Sequence, residues 1–262
     1  MMEHKPLLEV RHATKEYKRG SRCVRALDDV SFTLQPGEIL GIVGESGSGK
    51  STLLRQIACL EHLDSGELLL DGRDVTHAAP RDVCRRVQLV FQDAAASFDP
   101  RRTVRQSLYE PLRLLGGEPD PAARVTELLR QVGVPEELAD RRPAQLSGGQ
   151  CQRMAIARAL AARPAALLCD EVTSALDVSA QAQIVRLLAS LRAGLGLAIV
   201  FVSHDLALVS SLCDRAMVLQ GGRCVEQGAA NALITNPQEP YTRRLRESVL
   251  TLDALRERER KA

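Results

Sequence analysis

The sequence is short of net charge, of paired cysteines and of long apolar runs. It carries 35 Lys and Arg against 33 Asp and Glu, a formal charge of +2 over 262 residues. That is too little for the chain's own field to recruit nucleic acid or an anionic membrane. The arginine pairs Arg85-Arg86, Arg101-Arg102, Arg141-Arg142 and Arg243-Arg244 are scattered, whereas a nucleic-acid surface gathers its basic residues into one stripe. They read as solvated faces, and no nucleic-acid partner is expected. Cysteines 23, 59, 84, 151, 169, 213 and 224 are odd in number, irregularly spaced and without a C-x-x-C pair. This excludes a disulfide frame or metal knuckle and points to reduced core thiols in a cytosolic protein. The longest apolar run, Leu195 to Val202, falls far short of the ~20 residues a membrane span needs. Residues 1–6 show no apolar leader, so a chain without a signal peptide is expected, and any membrane role must pass through a partner.

What is present suffices for one large domain. Hydrophobic residues make up 45% and charged residues 26%, ordinary values for a globular chain that can bury a core. The first seventy-five residues read mostly as strands, with Leu7–Val10 and Val30–Leu34 apolar or alternating, and a Pro36-Gly37 turn. Ile39–Val43 is a short buried-strand run that enters a Gly-rich stretch, and Ser51–Ile57 continues as a helix. From about 93 to 150 the pattern turns helical, with Pro and Gly breaks, and reads as an insertion. After 150 strands and helices alternate again: Ala166–Cys169, Ala180–Arg192, Leu197–Val202, Leu206–Cys213. Alternation of this kind predicts an α/β fold, a mainly parallel sheet with helices on both faces. Residues 1–240 are expected to form this domain and 241–262 a helical tail, with Leu245, Val249, Leu252 and Leu255 at helical spacing.

The chemistry concentrates at strand ends. Gly44-Glu45-Ser46-Gly47-Ser48-Gly49-Lys50-Ser51-Thr52 sits between a strand and a helix, the setting of a phosphate-binding loop. Its glycines let backbone N–H groups curl round phosphates, Lys50 supplies a point charge, and Ser51 offers a hydroxyl to Mg²⁺. Leu167-Leu168-Cys169 delivers Asp170 and Glu171 at a strand's carboxyl end, where α/β sheets hold ligands. Asp170 suits hydrated Mg²⁺, and Glu171 suits an attacking water as base or orienting group. Val87–Phe91 ends at Gln92, a neutral amide for Mg²⁺ or water. Leu197–Val202 ends at Ser203-His204, where the imidazole can meet a γ-phosphate.

Gly44–Ser51, Gln92, Leu146-Ser147-Gly148-Gly149-Gln150, Asp170-Glu171, Ala175-Leu176-Asp177 and His204 resemble, in order, the Walker A, Q-loop, signature, Walker B, D-loop and H-loop of ATP-binding cassette (ABC) ATPases. The likeness covers about 7 to 240. It implies a P-loop NTPase fold with a RecA-like core, an antiparallel β subdomain and a helical subdomain. It further implies that two cassettes sandwich two ATPs head to tail, so that Ser147, Gly148, Gly149, Gln150 and Asp177 serve the partner's nucleotide. Tyr17, one of three tyrosines, matches the aromatic that stacks on adenine.

Phe91-Gln92-Asp93 followed by Asp99-Pro100-Arg101, then Arg141-Arg142-Pro143, and Asn236-Pro237-Gln238-Glu239-Pro240-Tyr241-Thr242 are similar to ATPases of the peptide/nickel importer family. That family implies ATP and Mg²⁺ as ligands and integral-membrane permeases as partners. It also implies a second ABC ATPase or a second copy of the chain, an extracytoplasmic binding protein acting indirectly, and a place on the cytoplasmic face of the plasma membrane. Ala94–Phe98 and Val172 depart from the peptide-type pattern and resemble nickel-type subunits, so nickel or a small nickel chelate is expected over di- and oligopeptides. A soluble, non-transport cassette is the alternative of another class. The single cassette, low charge and lack of a heptad run speak against it.

Overall fold

The computed structural model describes residues 5–20, 22–115 and 118–247. Two long strands, β1 (Leu8–Arg19) and β2 (Arg22–Leu34), precede β3 (Ile39–Val43) and helix α1 (Lys50–Ile57). β4 (Ser65–Leu70), the short β5 (Arg73–Asp74), α2 (Pro80–Val83) and β6 (Val87–Val90) follow. Next come α3 (Val104–Leu115), α4 (Pro121–Val132), two 3-10 turns (Glu136–Asp140 and Pro143–Gln145) and α5 (Gly148–Leu160). The chain then alternates through β7 (Ala166–Asp170), α6 (Val178–Leu195), β8 (Ala198–Val202) and α7 (Leu206–Leu212), and ends in β9 (Arg215–Gln220), β10 (Arg223–Ala229) and α8 (Ala230–Thr235).

These strands build two sheets. The larger has order β10-β9-β3-β8-β7-β6, parallel except for β10. The smaller, β2-β1-β4-β5, is antiparallel throughout. Because successive side chains point to opposite faces, each central strand of the larger sheet feeds two cores. Ile39, Val43, Leu167, Cys169, Ile199 and Phe201 face the helices α5 to α8 and the inserted helices. Leu40, Ile42, Leu168, Val200 and Val202 face α1 and the antiparallel sheet. A sheet buried on both faces requires uninterrupted apolar strands, and every residue of β3 and β8 is buried. One face of the parallel sheet is therefore roofed largely by a second sheet, where alternation alone predicted helices on both sides.

Local signals fix the helices around this frame. α6 buries Ile184, Leu187, Leu188 and Leu191, one stripe at helical spacing, and Asp177 caps its start by accepting from Ala180 N at 2.9 Å. α4 begins at Pro121 beneath the Asp120 cap. The helical stretch expected from about 93 begins instead at Val104. Residues 93–103 are turns, because Asp93 and Asp99 accept from the backbone N–H of Ala96 and Arg101 at 2.9 Å each, an arrangement that competes with helix. The β9–β10 hairpin and α8 fall between Leu206–Cys213, the last element expected of the domain, and the expected tail, in a stretch for which no element was expected. Of the tail, 240–247 is helical with Tyr241 and Thr242 buried; Val249, Leu252 and Leu255 lie outside the described residues. None of the seven cysteines is paired. Burial pushes the Cys59 thiol up to about 11, as expected of a core thiol, whereas Cys23 is exposed and Cys84 and Cys224 are half-buried. No described helix is long and apolar enough to cross a membrane.

Candidate functional site

The Gly-rich loop leaves β3 and closes on the first turn of α1. A Cβ at Gly44 would stand 2.3 Å from the Leu219 carbonyl, and one at Gly49 2.3 Å from that of Ala26, with φ +154° and +106°. Only glycine fits either place. α1 has no side-chain cap and no acidic residue in its first turn, so its N–H groups and dipole face an anion without competition. Lys50, 5% exposed, donates to the carbonyls of Gly44 and Glu45 at 2.8 Å each and lies 3.7 Å from Glu171 Oε1. Desolvation lowers its pKa, opposed by the charges of Glu171 and Asp170. Glu45, Ser46 and Gly47 are exposed at the loop's crest, while Ser48 is buried, with its carbonyl accepting from Gly222 N at 3.0 Å.

β7 delivers the two acids beside this loop. Ser51 Oγ donates to Asp170 Oδ1 at 3.0 Å, across 119 residues of chain. Burial raises the Asp170 pKa, and the Ser51 bond works against that rise. A hydroxyl beside a carboxylate is a hard-oxygen donor set, which fits Mg²⁺ and not a softer metal. Glu171 sits at φ +48°, a left-handed conformation that costs a non-glycine residue about 1–2 kcal/mol. The next residue, Val172, is 1% exposed. Gln92 reaches this group indirectly: its Nε2 donates to Ser174 Oγ at 3.1 Å, and Ser174 donates to the Glu171 carbonyl at 2.9 Å. Sequence reasoning missed Ser174; the turn after Glu171 was its only signal. His204 follows β8 and is exposed. Tyr17, 36% exposed, donates to Glu61 and lies within hydrogen-bond reach of Thr52, which puts its ring beside α1. Burial and Glu61 raise its phenol pKa.

The residues expected to act on a partner stand apart. Ser147 caps α5 in a reciprocal box with Gln150: Ser147 Oγ accepts from Gln150 N at 3.3 Å, and Gln150 Oε1 accepts from Ser147 N at 2.9 Å. With Gly148, Gly149, Leu176 and Asp177 they line an open hollow of about 310 Å³ whose lining contains no residue of 44–51. A Cβ at Gly148 would stand 3.3 Å from Leu176 Cδ2 and one at Gly149 3.3 Å from Ala180 Cβ, a tight contact at each. One chain thus carries a phosphate cradle with its acids, and separately a glycine-rich helix start with a polar face.

That pair of half-sites is the arrangement of an ATP-binding cassette, and the ABC transporter family model matches residues 27–174. The chain belongs to this family. It is 44% identical over its whole length to the glutathione import ATP-binding protein GsiA of Salmonella choleraesuis, and spans 44% of that protein's length. It is 42% identical to a putative peptide import ATP-binding protein of Brucella ovis, covering 96% of this chain and 81% of the relative. Among solved structures, the ATP-binding cassette MJ0796, a post-hydrolysis dimer bound to ADP and Pi, superposes with a TM-score of 0.78. The identity is 32%, over 85% of this chain and 98% of that one.

Proposed function

We propose that this chain is the ATP-hydrolysing motor of an importer for peptides or peptide-like solutes. The observation that carries the reading is the meeting of Lys50, Ser51, Asp170 and Glu171 at the mouth of an uncapped helix, with the signature residues on a different surface of the same chain. Gly44–Thr52 hold the triphosphate and Tyr17 stacks on adenine. Ser51, Gln92 and Asp170 would hold Mg²⁺, which when bound would offset phosphate charge. Glu171 accepts the proton of the attacking water, and His204 donates a hydrogen bond towards the γ-phosphate. Ser147, Gly148, Gly149, Gln150 and Asp177 close on the ATP of a partner, either a second copy or a related ATPase. The motor domain takes in the described residues as far as 247, since Tyr241 belongs to its core, and the helices of its insertion begin at Val104.

Closure of the pair is passed to integral-membrane permeases on the cytoplasmic face of the membrane, and a substrate-binding protein outside acts only through them. The expectation of nickel finds no support in the relatives, whose names are those of glutathione and peptide importers; the peptide alternative fits them. Ala94–Phe98 and Val172 belong to the motor and cannot touch a substrate, so they carry no weight on this point. Deleting the gene and following uptake of a labelled dipeptide, glutathione and labelled nickel tests the reading. Loss of dipeptide or glutathione uptake with nickel unchanged is expected; loss of nickel uptake alone would restore the nickel assignment.

A further inference from the structure

The Gly44-Glu45 peptide unit is held at both ends. Its carbonyl accepts from Lys50 Nζ at 2.8 Å. Its N–H, on Glu45, donates at 3.2 Å to the hydroxyl of Tyr241, 196 residues further along the chain. Tyr241 is 7% exposed and its ring is part of the main core, so the hydroxyl is delivered to the loop by a fixed body. The segment carrying it is fastened as well. Glu226 on β10 accepts from the backbone N–H of Gln238 at 2.8 Å and of Glu239 at 3.2 Å. Arg243 donates to the carbonyls of Pro237 and Gln238, both at 3.0 Å, and Arg246 to that of Thr235 at 3.0 Å. A strap from 236 to 246 therefore runs from the sheet's edge strand to the phosphate loop and ends there in one polar atom. Bonds at both ends of an amide also reinforce one another, so the Tyr241 contact bears on the carbonyl that holds Lys50.

We propose that Tyr241 is a positioning residue for ATP: it presets the entry of the phosphate loop and the place of Lys50 through the Gly44-Glu45 peptide. This rests on the reading that Gly44–Ser51 hold the triphosphate. Preorganisation of this kind improves affinity, because the loop surrenders less freedom on binding, and it leaves the hydrolytic step alone. Tyr241→Phe keeps the buried ring and deletes only the acceptor. In the full chain, the MgATP dissociation constant and the KM for ATP are expected to rise about five-fold, the worth of one hydrogen bond, with kcat within about two-fold of native. Glu226→Gln, which loosens the far end of the strap and leaves Tyr241 intact, should raise KM in the same direction. A role in packing alone would lower the melting temperature of Tyr241→Phe and leave KM where it was; an unchanged KM in both variants overturns the proposal. Lys50→Ala separates the two levels. If it loses ATP while Tyr241→Phe matches native, only the role of Tyr241 falls. If it keeps ATP, the triphosphate reading falls and the Tyr241 proposal with it.

Discussion

Glu171→Gln changes one oxygen to nitrogen and keeps the side chain's shape. The amide cannot take a proton from water, and a positioned general base contributes about 10²- to 10⁴-fold, or roughly 3–5 kcal/mol of barrier at 1.36 kcal/mol per decade. Binding should be spared. Lys50 keeps its two carbonyl acceptors at 2.8 Å, and the contact it loses is a longer one of 3.7 Å to a carboxylate 21% exposed. Removing a negative charge beside the phosphates offsets that loss. ATP affinity is therefore expected within about three-fold of native, and an ATP-bound closed pair should accumulate. Single-turnover phosphate release with chain in excess over ATP measures the chemical step, and a fluorescent ATP analogue measures binding. Phosphate release above a tenth of the native rate would remove Glu171 as the base. A loss of affinity as large as that of Lys50→Ala would show that its carboxylate mainly supports the loop.

Ser147→Arg should abolish hydrolysis while leaving ATP affinity of the separate chain near native, because Ser147 lines a hollow without loop residues; equilibrium binding in dilute solution checks this, and affinity lost to the extent of Lys50→Ala refutes it. Asp170→Asn should inactivate the enzyme and yet raise the melting temperature of the nucleotide-free chain at pH 7. Burial raises the folded-state pKa of Asp170, so its favourable contribution is present below the unfolded value of about 3.9 and is lost as pH rises through the folded value. The gain should thus shrink as pH falls towards 4, and a lower melting temperature at pH 7 would contradict the burial account.

The candidate catalytic group was legible because a buried parallel sheet writes itself plainly: β3, β7 and β8 are short apolar runs, and the polar residues that follow them stand at one edge by geometry. Lys50, Asp170 and Glu171 needed no more than that. What the sequence hid are contacts between distant stretches whose residue types are commonplace. Nothing about Ser174 announces that it joins Gln92 to Glu171, and Tyr241 stands in a motif read only for its family likeness. The β9–β10 hairpin escaped although Gly221-Gly222 marks its turn, since β9 has only four buried residues, a run too short to tell strand from helix by period. The roof over the second face of the large sheet was invisible to the strand–helix alternation, because β1 and β2 carry charge on their outer faces and a register shift between Val10 and Ala13 breaks the period of the buried residues.

Arg158, near the end of α5, points its guanidinium back at the turn that follows Gln92. It donates to the Ser97 carbonyl at 2.6 Å and to Ser97 Oγ at 2.9 Å, and stacks 4.3 Å above the Phe98 ring. Ser147 caps the other end of the same helix, about 16 Å away at 1.5 Å per residue. α5 thus joins, in one helix, the turn after Gln92, clamped at Arg158, and the Ser147 end that carries the glycine-rich start. A tilt of about 10° at the clamp would swing Ser147 through roughly 3 Å over that length, about one hydrogen-bond distance.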